Sequence, residues 1–162
     1  MHLNMSIKTF NAYEDLDRNF WLTRAYAEAQ KIYDRPSTRG FNKKTGKPRT
    51  LDEVRKDTAF GHAPECMLIK ECGYVDDTRE YKDLFDKNGN SIEIKTVENI
   101  KNVPFKLKEC VNLRTEKSKY YPHKENWRNF PDIVYVFIGN KETGDYHFHS
   151  KYVWHGLQRK YY

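Results

Sequence analysis

A chain of 162 residues is long enough for one domain with a real core and too short for two full ones. Its net charge of +6 and pI near 9.1 accompany 12 Tyr, 9 Phe and 3 Trp. Basic charge with many aromatics suits a polyanion with stackable bases, which means nucleic acid. Three cysteines, Cys66, Cys72 and Cys110, make no C-x-x-C pair and argue against a disulfide framework. No apolar run approaches the roughly 18 residues of a membrane span, and the first 20 residues lack the apolar centre of a signal peptide. The expectation is a cytoplasmic protein without a membrane partner.

Taken in order, residues 13–33 are expected to be helical, because Leu16, Phe20, Ala27 and Ile32 recur with Tyr13 and Trp21 at three- and four-residue spacings. Asp34-Arg35-Pro36 stops that helix. Residues 35–49, RPSTRGFNKKTGKPR, form a mobile basic loop by composition. Its Arg39, Lys43, Lys44, Lys47 and Arg49 can reach a phosphate backbone without base-specific geometry, or simply be solvated. Thr50 and Glu53 have capping-box spacing for a short helix.

A second helix is expected from Pro64 to Gly73, on the preference of Pro for a first turn and of Gly for the position past the end. Within it Glu65, Leu68, Ile69 and Cys72 fall at i, i+3, i+4 and i+7, on one face. A carboxylate on a packing stripe costs several kcal/mol, roughly the penalty for a buried unpartnered polar group. A cation beneath Glu65 would remove that cost, although the helix dipole also favours an acid in a first turn.

The segment YKDLFDKNGNSIEIKTV, residues 81–97, has the alternation of two strands joined by a tight turn. Glu93 and Lys95 share one face of the second strand, since side chains two residues apart project together. Which aspartate comes in beside them depends on the turn. A two-residue turn at Asn88-Gly89 pairs Leu84 with Glu93 and leaves Asp86 on the acidic face. A type I turn from Asp86 to Gly89, with Gly89 as a left-handed bulge, pairs Asp83 with Glu93 instead. Asp, Asn and Gly at the first, third and fourth turn positions favour the second form and Asp83.

Residues 104–117 have helical spacing, and the aromatic, basic stretch that follows is a loop offering Lys119, Lys124 and Arg128 to a phosphate backbone. DIVYVFIG, residues 132–139, is a strand buried on both faces. After a turn, 146–154 form an edge strand on which His147 and His149 share a face, as metal ligands or as a half-solvated edge.

Two carboxylates beside a lysine on a rigid hairpin can hold a hard divalent cation and orient a water against a phosphodiester. The plainer account is a solvated salt bridge on a charged sheet face, with a contribution of about 0 to 1 kcal/mol. In order, Glu65, Asp83, Glu93 and Lys95 resemble the site of the PD-(D/E)xK, or restriction-endonuclease-like, nucleases: a helix glutamate, an acid on one hairpin strand, then acid-x-Lys on the next. The proline before the first acid is replaced by Lys82, and the literal Pro131-Asp132 follows the hairpin rather than preceding it.

The resemblance implies an α/β (mixed α+β) fold with a restriction-endonuclease-like core, a mixed central sheet flanked by helices. Residues 1–58 would be a helical and basic-loop extension and 59–155 the catalytic core of a single 1–162 domain. It implies Mg²⁺, with Mn²⁺ as a substitute, held by Asp83, Glu93 and Glu65, and Lys95 acting on the attacking water. The implied activity is DNA endonuclease, and two cuts in a duplex favour a homodimer. The alternatives are a non-catalytic nucleic-acid-binding protein and an RNA endonuclease of the same chemistry.

Overall fold

The computed structural model describes residues 8–76, 83–102, 131–155 and 160–161. In chain order they form β1 (Thr9–Asn11), α1 (Ala12–Asp15), α2 (Arg18–Asp34), α3 (Pro36–Arg39) and α4 (Leu51–Cys72). Then come β2 (Val75–Asp76), β3 (Leu84–Phe85), β4 (Ser91–Val97), a 3-10 turn (Ile100–Asn102), β5 (Ile133–Gly139), β6 (Asp145–His155) and β7 (Lys160–Tyr161). The strands join in the order β1-β6-β5-β4-β3-β2, with β7 also on β6. β4 and β5 run parallel and every other pair is antiparallel, so the fold is mixed α+β around a mixed sheet. The helix expected at 104–117 and the loop after it fall in the β4-to-β5 connection, outside the described residues. No helix among the described residues is long and apolar enough to cross a membrane.

Strand alternation divides the core. Ile92 and Ile94 of β4 are in register with Ile133 and Tyr135 of β5, and this face packs with Ala63, Met67 and Leu68 of α4 and with Trp21 and Ala25 of α2. Val97, Val134 and Val136 form a smaller cluster on the opposite face, the one that also carries Glu93 and Lys95. Phe10 of β1 belongs to the main core, stacked on Tyr146 at 4.9 Å between ring centroids. The described part of the N-terminal segment therefore shares the core of the sheet.

Several local expectations are corrected. The helix expected over 13–33 is two, because the Asp17 carboxylate caps α2 by accepting from Phe20 N–H at 3.0 Å. Its buried stripe is Trp21, Ala25 and Ala29, while Phe20 is 46% exposed. Trp21 Nε1 donates to the Ala59 carbonyl at 2.9 Å, which turns the indole rather than Phe20 onto α4. The two helices expected between Thr50 and Gly73 are one. Pro64 lies inside α4, where it removes the hydrogen bond that residue 64 would give to the Phe60 carbonyl. The Tyr146 hydroxyl donates to that carbonyl at 2.9 Å, so the helix continues. The capping box of Thr50 and Glu53 is present, and Gly73 ends the helix at φ +67°.

The basic loop is tied down rather than open. Phe41 bridges Pro48, Asn42 N–H donates to the Lys47 carbonyl at 2.8 Å, and Arg49 N–H to the Gly40 carbonyl at 3.1 Å. The expected strand after the turn is β6, which pairs β5 along most of its length, and β1 covers Asp145, Tyr146 and His147 on its other side.

Candidate functional site

The hairpin takes the form with a bulge. Asp86 begins a turn closed by Gly89 N–H donating to its carbonyl at 3.1 Å, and Gly89 has φ +79°, a conformation few other residues adopt without strain. Leu84 then faces Ile92 and Phe85 faces Ser91. The Asp86 carboxylate is engaged inside the turn, accepting from Asn88 N–H and Asn90 N–H at 2.9 Å each. That leaves Asp83 as the hairpin acid nearest Glu93 and Lys95.

Asp83 is held twice by β4. Its N–H donates to the Ile92 carbonyl at 2.8 Å, and its Oδ2 accepts from Ile94 N–H at 2.7 Å. The carboxylate thus takes a ladder position where β3 has stopped pairing, in the gap between strands rather than on one face. From there it meets both sides of the sheet. On the α4 side it faces Glu65, which is 7% exposed and feels the charge of Asp83. On the other side it feels the charge of Lys95, whose Nζ lies 3.2 Å from Glu93 Oε1.

The electrostatics of the acid pair follow from burial. Glu65 is pushed well above the ordinary carboxylate range, first by burial and then by the negative charge of Asp83. Burial also raises Asp83, against the pull of the Ile94 N–H and Lys95. Two buried carboxyls that feel each other's charge disfavour joint ionisation, so both are shifted toward the protonated form.

Three further residues complete the cluster and were missed in the sequence. Arg24 of α2 forms a two-pronged ion pair with Asp76 of β2 and places Nη2 3.4 Å from Glu65 Oε2. The bond to Asp76 raises the arginine further and depresses the Asp76 carboxyl. His62, one turn before Glu65, has Nδ1 3.8 Å from the Glu65 carboxyl, and burial lowers its pKa, favouring the neutral ring. A signal did exist for Arg24: it lies three residues past Trp21, on the margin of the stripe that α2 buries.

The remaining candidates are placed apart. Asp132 fastens the start of β5 to β4, its Oδ2 accepting from Ser91 N–H at 3.0 Å, so the literal Pro-Asp pair serves the sheet. His147 and His149 are exposed on β6, and His149 Nδ1 lies 2.8 Å from Ser150 Oγ. Arg39 donates to the Tyr33 carbonyl at 2.7 Å and stacks on that ring, while Arg49 pairs with Asp57 at 2.8 Å. Both arginines thus hold the loop in shape, and Lys43, Lys44 and Lys47 are its exposed cations. Lys119, Lys124 and Arg128 lie outside the described residues.

Among the described residues no three His, Cys, Asp or Glu side chains form a ready metal-binding group. The reason is visible in the contacts: Glu93 is turned to Lys95, and Glu65 is held between Asp83 and Arg24. What the cluster offers a ligand is carboxyl oxygens with a lysine beside them. No family model, curated protein or solved structure matches the chain.

Proposed function

We propose that the chain is a Mg²⁺-dependent DNA endonuclease of the restriction-endonuclease-like class, with Asp83, Glu93, Lys95 and Glu65 as its site. The observation that carries this reading is the buried Glu65–Asp83 pair, formed by acids 18 positions apart, with Lys95 and Glu93 on its other side. A buried acid pair is costly as pure structure. A divalent cation there would let both acids ionise.

The donors fit such an ion. They are carboxyl oxygens, the hard ligands Mg²⁺ takes, and Mg²⁺ commonly binds through one or two carboxylates with water and substrate phosphate completing its shell. Asp83 would be the common ligand, with Glu65 the carboxylate from the α4 side of the sheet and Glu93 the one from the opposite side. When bound, the ion neutralises charge on the scissile phosphate and lowers the pKa of a coordinated water. Lys95, within ion-pair distance of Glu93, would orient the attacking water and stabilise negative charge developing on phosphorus. Arg24 holds Glu65 in position from the far side and anchors α2 to β2 through Asp76.

Exposed Lys43, Lys44 and Lys47 supply sequence-independent grip on a phosphate backbone. Cutting both strands of a duplex with one site per chain favours two copies related by a two-fold axis. The test is supercoiled plasmid incubated with Mg²⁺ and, in parallel, with EDTA. Nicking or linearisation is expected with Mg²⁺ alone, and Asp83→Asn and Lys95→Ala are each expected to lower the rate at least a hundredfold. Cleavage that persists undiminished in both variants would remove the assignment. A labelled RNA of the same sequence, run beside the DNA, separates the DNA enzyme from an RNA endonuclease of the same chemistry.

The ion pairs that close the cluster favour a second reading, in which the acids are structural and the basic loop binds nucleic acid without cutting it. That reading predicts salt-sensitive binding, no cleavage and no rise in melting temperature on adding Mg²⁺.

A further inference from the structure

A concavity lies on the N-terminal side of Glu65 along α4. It is a cleft of about 400 Å³ between α1, α2, the first turns of α4 and the β5–β6 turn, within the range of about 300 to 1,000 Å³ usual for small-ligand sites. Its walls include Tyr13, Trp21, Tyr26 and Phe60, and its cations include Arg18 and Lys56. Ala59 and Phe60 precede Glu65 by five or six residues, roughly 8 Å along the helix axis. The cleft shares no residue with the acid cluster.

The aromatic walls are fixed in advance. The Tyr13 hydroxyl donates to the Lys141 carbonyl at 2.9 Å, and the ring lies over Gly144, where any side chain would run into it. Gly144 also has φ +78°, so the position suits glycine on both counts. Trp21 Nε1 is engaged with Ala59, and the two rings stand 6.0 Å apart at 56°. Trp21 is buried behind the cleft, and the exposed rings are Tyr13 and Tyr26, the latter with the Arg55 guanidinium 4.9 Å from its centroid. These two offer the flat apolar surface on which a nucleobase stacks.

The charge on the rim points the same way. Lys141 is neutralised by Asp57 at 2.6 Å and Glu98 at 3.2 Å. Arg18 and Lys56 are exposed and have no ion-pair partner among the described residues, and the acid in the lining is Glu142. We infer that this cleft is a nucleotide-binding site, in which the base stacks on the aromatic walls and Arg18 and Lys56 hold the phosphate. The occupant is a nucleotide unit, either free or part of a strand.

Calorimetric titration of the full chain in EDTA tests this, with deoxyadenosine 5′-monophosphate, deoxyadenosine and a short 5′-phosphorylated single strand as the probes. Saturable binding of the monophosphate is expected, at least tenfold weaker in Arg18→Glu/Lys56→Glu and in Tyr26→Ala, and weaker for the nucleoside. If the strand alone binds and the same variants weaken it tenfold, the occupant is a nucleotide within a strand. Absence of binding by both phosphorylated probes overturns the inference. So does binding that the variants leave unchanged, or that responds to charge reversal and not to Tyr26→Ala, which is a bare electrostatic surface. Because Asp83→Asn leaves this cleft intact, binding in that variant is expected to match the wild type. Failure here is therefore distinct from failure of the cleavage assay.

Discussion

Glu65 sits where a carboxylate is expensive, and burial beside Asp83 shifts it toward the protonated form. Its value in the folded chain lies above the ordinary 4.5, so between about 4.5 and the raised value the native state binds more protons than the unfolded one. Stability contributed by the pair is therefore complete below that window and is lost as pH rises through it. Melting curves in EDTA from pH 4.5 to 8 are expected to fall more steeply for the wild type than for Glu65→Gln, which keeps a donor toward Asp83 without a titrating proton. Parallel profiles would mean that the pair is not protonated. Arg24→Met is expected to cost about 1.5 to 3 kcal/mol in urea unfolding, the usual range for hydrogen bonds to charged groups. Asp83, Glu93 and Lys95 were singled out by strand period and turn chemistry and Glu65 by helical spacing, all of them local rules. Arg24, Asp76 and His62 were not singled out: the first two come from elements whose approach to the hairpin is decided by packing, and a lone histidine one turn from Glu65 carries no signal of its own.

At the scale of elements, α4 carries the longest argument. Proline was read as a beginning, and locally that is its commonest meaning in a helix. The continuation through Pro64 depends on a donor 82 positions away, the Tyr146 hydroxyl on Phe60 O, which no local rule can supply. Tyr146→Phe keeps the ring stacked on Phe10 and removes only that donor. It is expected to destabilise by about 1 to 3 kcal/mol, the penalty for an orphaned buried carbonyl. In a Pro64→Ala background, where the backbone N–H is restored, the same change is expected to cost distinctly less. Equal costs in both backgrounds, measured by urea denaturation, would disprove this account of the helix. The bulged hairpin shows the opposite case: Asp86, Asn88 and Gly89 specify their turn within five residues, and the register that brings Asp83 to β4 follows from it.

Across the whole molecule, individual strands were readable through the hairpin and the buried run of β5, while the mixed sheet flanked by helices was what the resemblance implied. The sequence did not reveal β1, three residues long, whose place beside β6 rests on Phe10 packing on Tyr146. Nor did it reveal that α2 would enter the core by Trp21 and Ala25, because small residues carry little periodic signal yet set how closely two helices approach. The charge distribution gives a prediction at this scale. Replacing Lys43, Lys44 and Lys47 by Ala is expected to weaken duplex DNA binding whatever its sequence and to reduce the slope of log affinity against log salt by about 3, one per phosphate contact. An unchanged slope in fluorescence anisotropy would place the grip elsewhere.

The central claim is that the buried acid pair is a cation site, and calorimetric titration with Mg²⁺ near pH 6, in two buffers of different ionisation enthalpy, addresses it without relying on activity. Binding in the wild type is predicted to release about one proton as Glu65 and Asp83 ionise together, and the release is predicted to vanish in Glu65→Gln. Absence of binding, or binding with the same proton release in Glu65→Gln, would contradict the account.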